Sequence, residues 1–264
     1  MRLLSLLFMV IVFASCHKLP STSANEAPHN IEIFFTNVVR DKPIILGSEQ
    51  YINQYKEDDV VYEEQYTITK LKYYISNLTF TTTKGKVISE KDSYHLISVA
   101  EENTVPKSNR FSFALKSGTY KSVSFLIGVD SIKNISGAQT GALDPLNGMF
   151  WTWNSGYIMF KVEGTSPQSK MADNKFEYHI GGFQGLNNTL RRVTFNLSSL
   201  EVTENTNTEL IFEADLRKFW ENGKSFKISE IPICTSEGIE AKKIADNFSQ
   251  IFSCTKIIHS IYSF

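Results

Sequence analysis

The side chains best able to do chemistry in this chain are few. The histidines are His17, His29, His95, His179 and His259. The cysteines are Cys16, Cys234 and Cys254. Trp151 and Trp153 stand one residue apart in Phe150-Trp151-Thr152-Trp153. Imidazole and thiolate can ligate a metal, whereas indoles pack in cores or stack on sugars. Hydrolase, zinc-protease, dinucleotide and P-loop patterns are missing from the sequence. It contains no C-x-x-C and so no attached c-type haem. No nucleophile stands at a meaningful spacing from a base, so the reading is non-enzymatic. The carboxylate pairs Asp58-Asp59 and Glu63-Glu64 sit in polar sequence and read as a solvated face.

The elements that must position these residues are strands. The chain is 42% hydrophobic and 21% charged, with 19 Phe and 11 Tyr, which is globular rather than disordered. Net charge is −1 with no basic patch, so no nucleic-acid partner is expected. Runs rich in Phe, Tyr, Ile, Val and Thr recur at 30–39, 65–83, 94–99, 111–115, 119–129, 157–163, 175–181, 190–197 and 208–215. The run 65–83 is one strand with a bulge or two joined tightly. Turn residues separate most runs, which argues for a sandwich. Residues 238–252 instead carry apolar side chains at helical spacing. The expected fold is mainly β: an antiparallel, sandwich-like single domain over 30–264 with one C-terminal amphipathic helix. The stretch 130–156 is a long irregular segment. It is too aromatic for disorder and should fold back on the domain, burying part of Trp151 and Trp153.

The first residues have another task. Met1-Arg2, an apolar run from Leu3 to Ala14 and a small-residue end make 1–15 a secretory signal. The run Phe13-Ala14-Ser15-Cys16 resembles a bacterial lipobox, with Phe13 where leucine is usual. In that reading Cys16 is acylated and anchors the protein to a membrane. The alternative is an ordinary signal peptide cut nearby, with Cys16 discarded. Residues 16–29 are polar and read as a tether. No acidic run follows Cys16, so a surface-export signal is not evident. The expected location is the bacterial cell envelope, periplasmic or surface-facing. Cys234 and Cys254 read as a disulfide, with a thiolate metal pair as the rival. Bridged Cα atoms lie within about 7 Å, so the segments flanking the 238–252 helix would have to fold back along it.

Residues 148–157, GMFWTWNSGY, followed by 160–164, FKVEG, resemble the signature of the MbnP family. Residues 70–78, 128–130, 137–145, 178–182 and 245–247 fit the family pattern too. These are periplasmic or lipid-anchored proteins associated with methanobactin-type copper handling. The resemblance implies a β-rich domain and copper as cofactor. It also implies a tryptophan oxidised to kynurenine by a dihaem peroxidase-like partner enzyme of the MauG type. Copper(I) prefers soft or imidazole donors. The resemblance therefore nominates Trp151, Trp153, His179 and His259 as the metal site. His179 lies in the matched Tyr178-His179-Ile180-Gly181-Gly182, and His259 stands where the family's histidine-rich element is reduced to one residue. Ile251-Phe252 replaces a Met-Phe pair, and Cys234 stands where relatives often carry Met. His95, within a strand-like run, reads as a structural imidazole. Asp130 could orient a ligand, although a structural role suits it and Asp144 better.

The leading reading is a lipid-anchored MbnP-like envelope protein with a copper-binding function. The alternatives are an envelope module that binds glycan or peptide through the aromatic loop 148–157, and a purely structural envelope protein. Copper needs at least two side-chain donors beside Trp151 or Trp153. A glycan site needs exposed indoles ringed by polar groups.

Overall fold

A computed structural model describes residues 28–57, 59–90, 92–99, 109–152, 156–221 and 226–261. The signal segment 1–15, Cys16, most of the tether and Trp153 lie outside the described residues.

The chain forms two stacked sheets. The smaller has the order β15 (Phe252–Ile261), β13 (Thr206–Asp215), β1 (His29–Val39), β2 (Lys42–Pro43), with β7 (Arg110–Leu115) also on β1. The larger runs β12 (Arg191–Val202), β8 (Gly118–Ile127), β4 (Val60–Thr82), β10 (Gly156–Thr165), β11 (Lys175–Gly181), β14 (Ile233–Cys234). Onto β4 also pair β3 (Tyr51–Glu57), β5 (Val87–Ser89) and β6 (Tyr94–Ser98), and onto β10 pairs β9 (Phe150–Thr152). The expected mainly β sandwich is present. Both sheets are mixed, because β1–β13 and β11–β14 are parallel among otherwise antiparallel pairs.

Alternation builds the core. In β1, Ile31, Ile33 and Phe35 point inward between exposed or half-buried neighbours. They meet Leu210 and Phe212 of β13, Tyr73 of β4, Phe125 of β8 and Phe160 of β10 in one cluster. Phe35 is central, with its ring 5.1 Å from Phe212, 5.6 Å from Phe125 and 6.5 Å from Tyr73. This aromatic core accounts for the abundance of Phe and Tyr.

Strand β4 resolves the 65–83 run as one strand with a bulge. Asn77 adopts φ 49° where the register against β8 shifts. The shift changes the inward parity: Leu71, Tyr73 and Ile75 before it and Leu78 and Phe80 after it join the same core.

The C-terminal helix is α3 (Ile239–Phe248), shorter than the 238–252 run. Its Ala241, Ile244, Ala245 and Phe248 are buried, as are Phe219 and Trp220 of the short α2 (Arg217–Glu221). Ring stacking ties both helices to Phe160, at 5.4 Å for Phe219 and 5.2 Å for Phe248. A turn at Ser249 and Gln250 stops α3, and Ile251 at the following bend and Phe252 at the start of β15 enter the core. No helix among the described residues is long and apolar enough to cross a membrane.

Two expectations differ from the structure. His29 belongs to β1 rather than to the tether; it pairs with Leu115, and its Nε2 lies 3.1 Å from Ser117 Oγ. The expected disulfide is not formed: Cys234 and Cys254 are both free thiols. The two thiols stand on different sheets. Cys234 lies on β14 at the edge of the larger sheet, and Cys254 lies on β15 of the smaller one, opposite Phe212.

Candidate functional site

The sandwich core covers one face of the β4–β10–β11 ribbon. The stretch from 128 to 152 covers part of the other. There, Tyr74, Val129, Leu143, Met149, Tyr157, Ile158, Met159 and Phe183 form a second buried cluster, with Phe150, Trp151 and Leu190 packed against it. Tyr73 and Tyr74 thus enter opposite cores as consecutive residues of one strand.

Hydrogen bonds shape this cap. Asp130 Oδ1 caps α1 (Ser131–Ile135) by accepting from the Ile132 and Lys133 N–H groups at 3.0 and 3.2 Å. Its Oδ2 accepts from Tyr94 Oη at 2.5 Å and Asn77 Nδ2 at 2.9 Å. The role of Asp130 is therefore structural. Asn134, fully buried, donates to the carbonyls of Val129 and Asp130 and accepts from the Tyr157 N–H at 2.8 Å. Gly156 is required beside it: at φ +70°, a Cβ there would come within 2.2 Å of Asn134 Oδ1. Asp144 accepts from the Leu146 N–H at 2.8 Å and caps the 3-10 turn Pro145–Asn147.

Beside the cap, the same sheet face carries charge in two rows across three strands. Lys72, Lys161 and His179 are register neighbours, and so are Lys70, Glu163 and Glu177. Two lysines grip the loop that leads to the tryptophan: Lys161 Nζ donates to the Gly148 carbonyl at 2.5 Å, and Lys72 Nζ to the Asn147 carbonyl at 3.0 Å. Burial pulls the Lys161 pKa down, and the Glu163 carboxylate opposes that shift. Glu163 is the hub. Its Oε1 accepts from His179 Nε2 at 2.8 Å, its Oε2 accepts from Lys70 Nζ at 2.8 Å, and Lys161 Nζ stands 3.9 Å away. The His179 hydrogen bond leads in holding the Glu163 carboxyl down at about 2; burial opposes it and Lys70 adds to it.

Trp151 is half-buried, with its indole resting on the backbone of Gly181. His179 and Gly181 are i and i+2 on one face of β11, about 7 Å apart along the strand. The structure therefore brings Trp151 and His179 to one patch. His259 is elsewhere. It stands on β15 of the smaller sheet opposite Thr208, with Nδ1 3.1 Å from Thr208 Oγ1, in a cleft lined also by Cys254 and Asn196. His95 stacks on Phe111 at 3.5 Å, and its Nε2 meets Glu90 at 3.0 Å. Glu163 escaped sequence reasoning, since a charged residue between strand positions reads as solvated. Its partners Lys70 and His179 lie 93 and 16 residues away in the chain.

As a metal ligand, His179 has suitable chemistry: an imidazole with one nitrogen held by a carboxylate and, among the described residues, no hydrogen bond at the other. Among the described residues, no three His, Cys, Asp or Glu side chains gather as a metal site.

The family model described as MbnP matches residues 28–236. The solved structure of MbnP from Methylosinus trichosporium is similar in fold, with a TM-score of 0.55 at 16% identity, covering 79% of this chain and 83% of that one. No curated protein sequence matches.

Proposed function

The chain belongs to the MbnP family, and from that premise we propose that it is a non-catalytic, lipid-anchored protein of the bacterial envelope that binds copper on the capped face of its larger sheet. The observation that carries the reading is the seating of Trp151 on Gly181, one strand step from His179. His179 would supply the imidazole. Oxidation of Trp151 or Trp153 to kynurenine by a dihaem peroxidase-like partner would add an aromatic amine and a carbonyl. Together these give the two or three donors that copper(I) takes. His259, on the other sheet, is left out of this set. A sugar-stacking site would want its indole exposed, whereas Trp151 is half-buried.

The test uses protein purified from its native host. Intact mass reports the lipid on Cys16 and any tryptophan oxidation, and copper(I) titration reports stoichiometry. His179→Ala should abolish tight copper(I) binding, while His259→Ala should leave it in place. Undiminished binding by the His179→Ala chain overturns the site. Cys16→Ala should release the protein from membranes; continued attachment overturns the anchor.

A further inference from the structure

A neutral imidazole offers a metal only the ring nitrogen that carries no proton, and the partner of the other nitrogen decides which one that is. In His179 the decision is visible. Nε2 lies 2.8 Å from Glu163 Oε1. An ionised carboxylate accepts and cannot donate, so Nε2 must bear the hydrogen. The lone pair then sits on Nδ1, which makes no hydrogen bond among the described residues.

Glu163 is itself restrained from two sides. Lys70 Nζ holds its second oxygen at 2.8 Å. Lys161 Nζ approaches Oε1 at 3.9 Å while donating to the Gly148 carbonyl, at the foot of the segment that carries Trp151. One carboxylate therefore links the histidine, two lysines and the aromatic loop.

We propose that Glu163 is a positioning residue of the site: it locks His179 in the Nε2–H tautomer and leaves Nδ1 as its single donor nitrogen. The inference rests on the copper reading for what Nδ1 binds. The tautomer itself does not depend on that reading.

The experiment compares the full chain with its Glu163→Gln, Glu163→Asp and His179→Ala variants. Glu163→Asp keeps the charge, and with it the attraction to Lys70, but withdraws the carboxylate from Nε2. It therefore separates positioning from plain electrostatics and guards against a variant that fails to fold. The first readout is nitrogen NMR of His179 in metal-free protein. The wild type should show the Nε2–H tautomer alone, and both Glu163 variants a mixture. The second is copper(I) affinity, which should fall about 10- to 100-fold in both Glu163 variants, the usual cost of losing such an outer partner. A single unchanged tautomer in folded Glu163 variants overturns the proposal, as does wild-type affinity in them. Copper binding by His179→Ala equal to wild type instead sinks the copper reading, and the NMR result still judges whether Glu163 sets the tautomer.

Discussion

The indole of Trp151 lies directly on the backbone of Gly181. A Cβ added at Gly181 would stand 2.5 Å from indole Cζ3 and 2.8 Å from Cη2, closer than real Cβ contacts come. The aromatic loop is therefore seated by the absence of a side chain on β11. Gly181→Ala should displace the indole and destabilise the fold by about 1–3 kcal/mol, the usual range for overpacking. Chemical denaturation of Gly181→Ala, alone and combined with Trp151→Ala, checks this. The glycine penalty should shrink once the indole is gone, leaving only the 3.0 Å approach of the added Cβ to the Tyr157 carbonyl oxygen; an undiminished penalty would place the strain elsewhere.

Asn134 ties the cap to the sheet through three hydrogen bonds from a fully buried side chain. Asn134→Ala leaves the Tyr157 N–H without its acceptor. The expected loss is about 1–3 kcal/mol, the cost of a buried unsatisfied group. Amide hydrogen exchange at Tyr157 should accelerate sharply, while Phe35 in the sandwich core keeps its protection.

Acid should loosen the same face. The Glu163 carboxyl is held at about 2, below its ordinary 4.5, chiefly by the His179 hydrogen bond. Asp130 lies below its ordinary 3.8, because its four hydrogen bonds outweigh burial. A depressed carboxylate contributes stability that is complete above the unfolded pKa and is lost as pH falls through the folded one. For Glu163 the loss therefore spans 4.5 down to about 2. Unfolding free energy measured across that window should drop with pH in the wild type. The drop should be shallower in Glu163→Gln, and equal slopes would refute the assignment.

Cys234 and Cys254 should behave as unreactive thiols. Burial pushes each up to about 11, with Glu240 adding to the shift at Cys234. Both are therefore protonated and poorly nucleophilic at neutral pH. A Cys16→Ser chain should react slowly with a thiol reagent when folded and show two thiols when denatured. Fewer than two would mean that the pair is oxidised.

Much of the fold is legible residue by residue. Alternation in Ile31, Ile33 and Phe35, and again in Phe176, Tyr178 and Ile180, marks half-buried strands directly, since the pleat imposes a period of two. Strands β3 and β15 are not legible in that way. In β3 the inward set is Tyr51, Asn53 and Tyr55, so a buried asparagine breaks the apolar pattern. In β15 a register shift beside Thr255 and the adjacent Ile257 and Ile258 disturb the alternation. The helical spacing of α3 also runs on into Ile251 and Phe252.

What the sequence determined by itself is local: strand periodicity, the amphipathic helix, and the segments around Trp151 and His179 that carry the family resemblance. Only the tertiary structure decided which of these meet. Cross-strand register set Lys70, Glu163 and His179 in reach of one another, and the folding back of the 128–152 stretch laid Trp151 on Gly181. The same stacking of sheets put His259 and Cys254 in one layer and His179 and Cys234 in the other. The physical reason is that pairing between strands joins residues without regard to their separation along the chain. A charge that looks solvated in sequence thereby becomes the partner of a histidine.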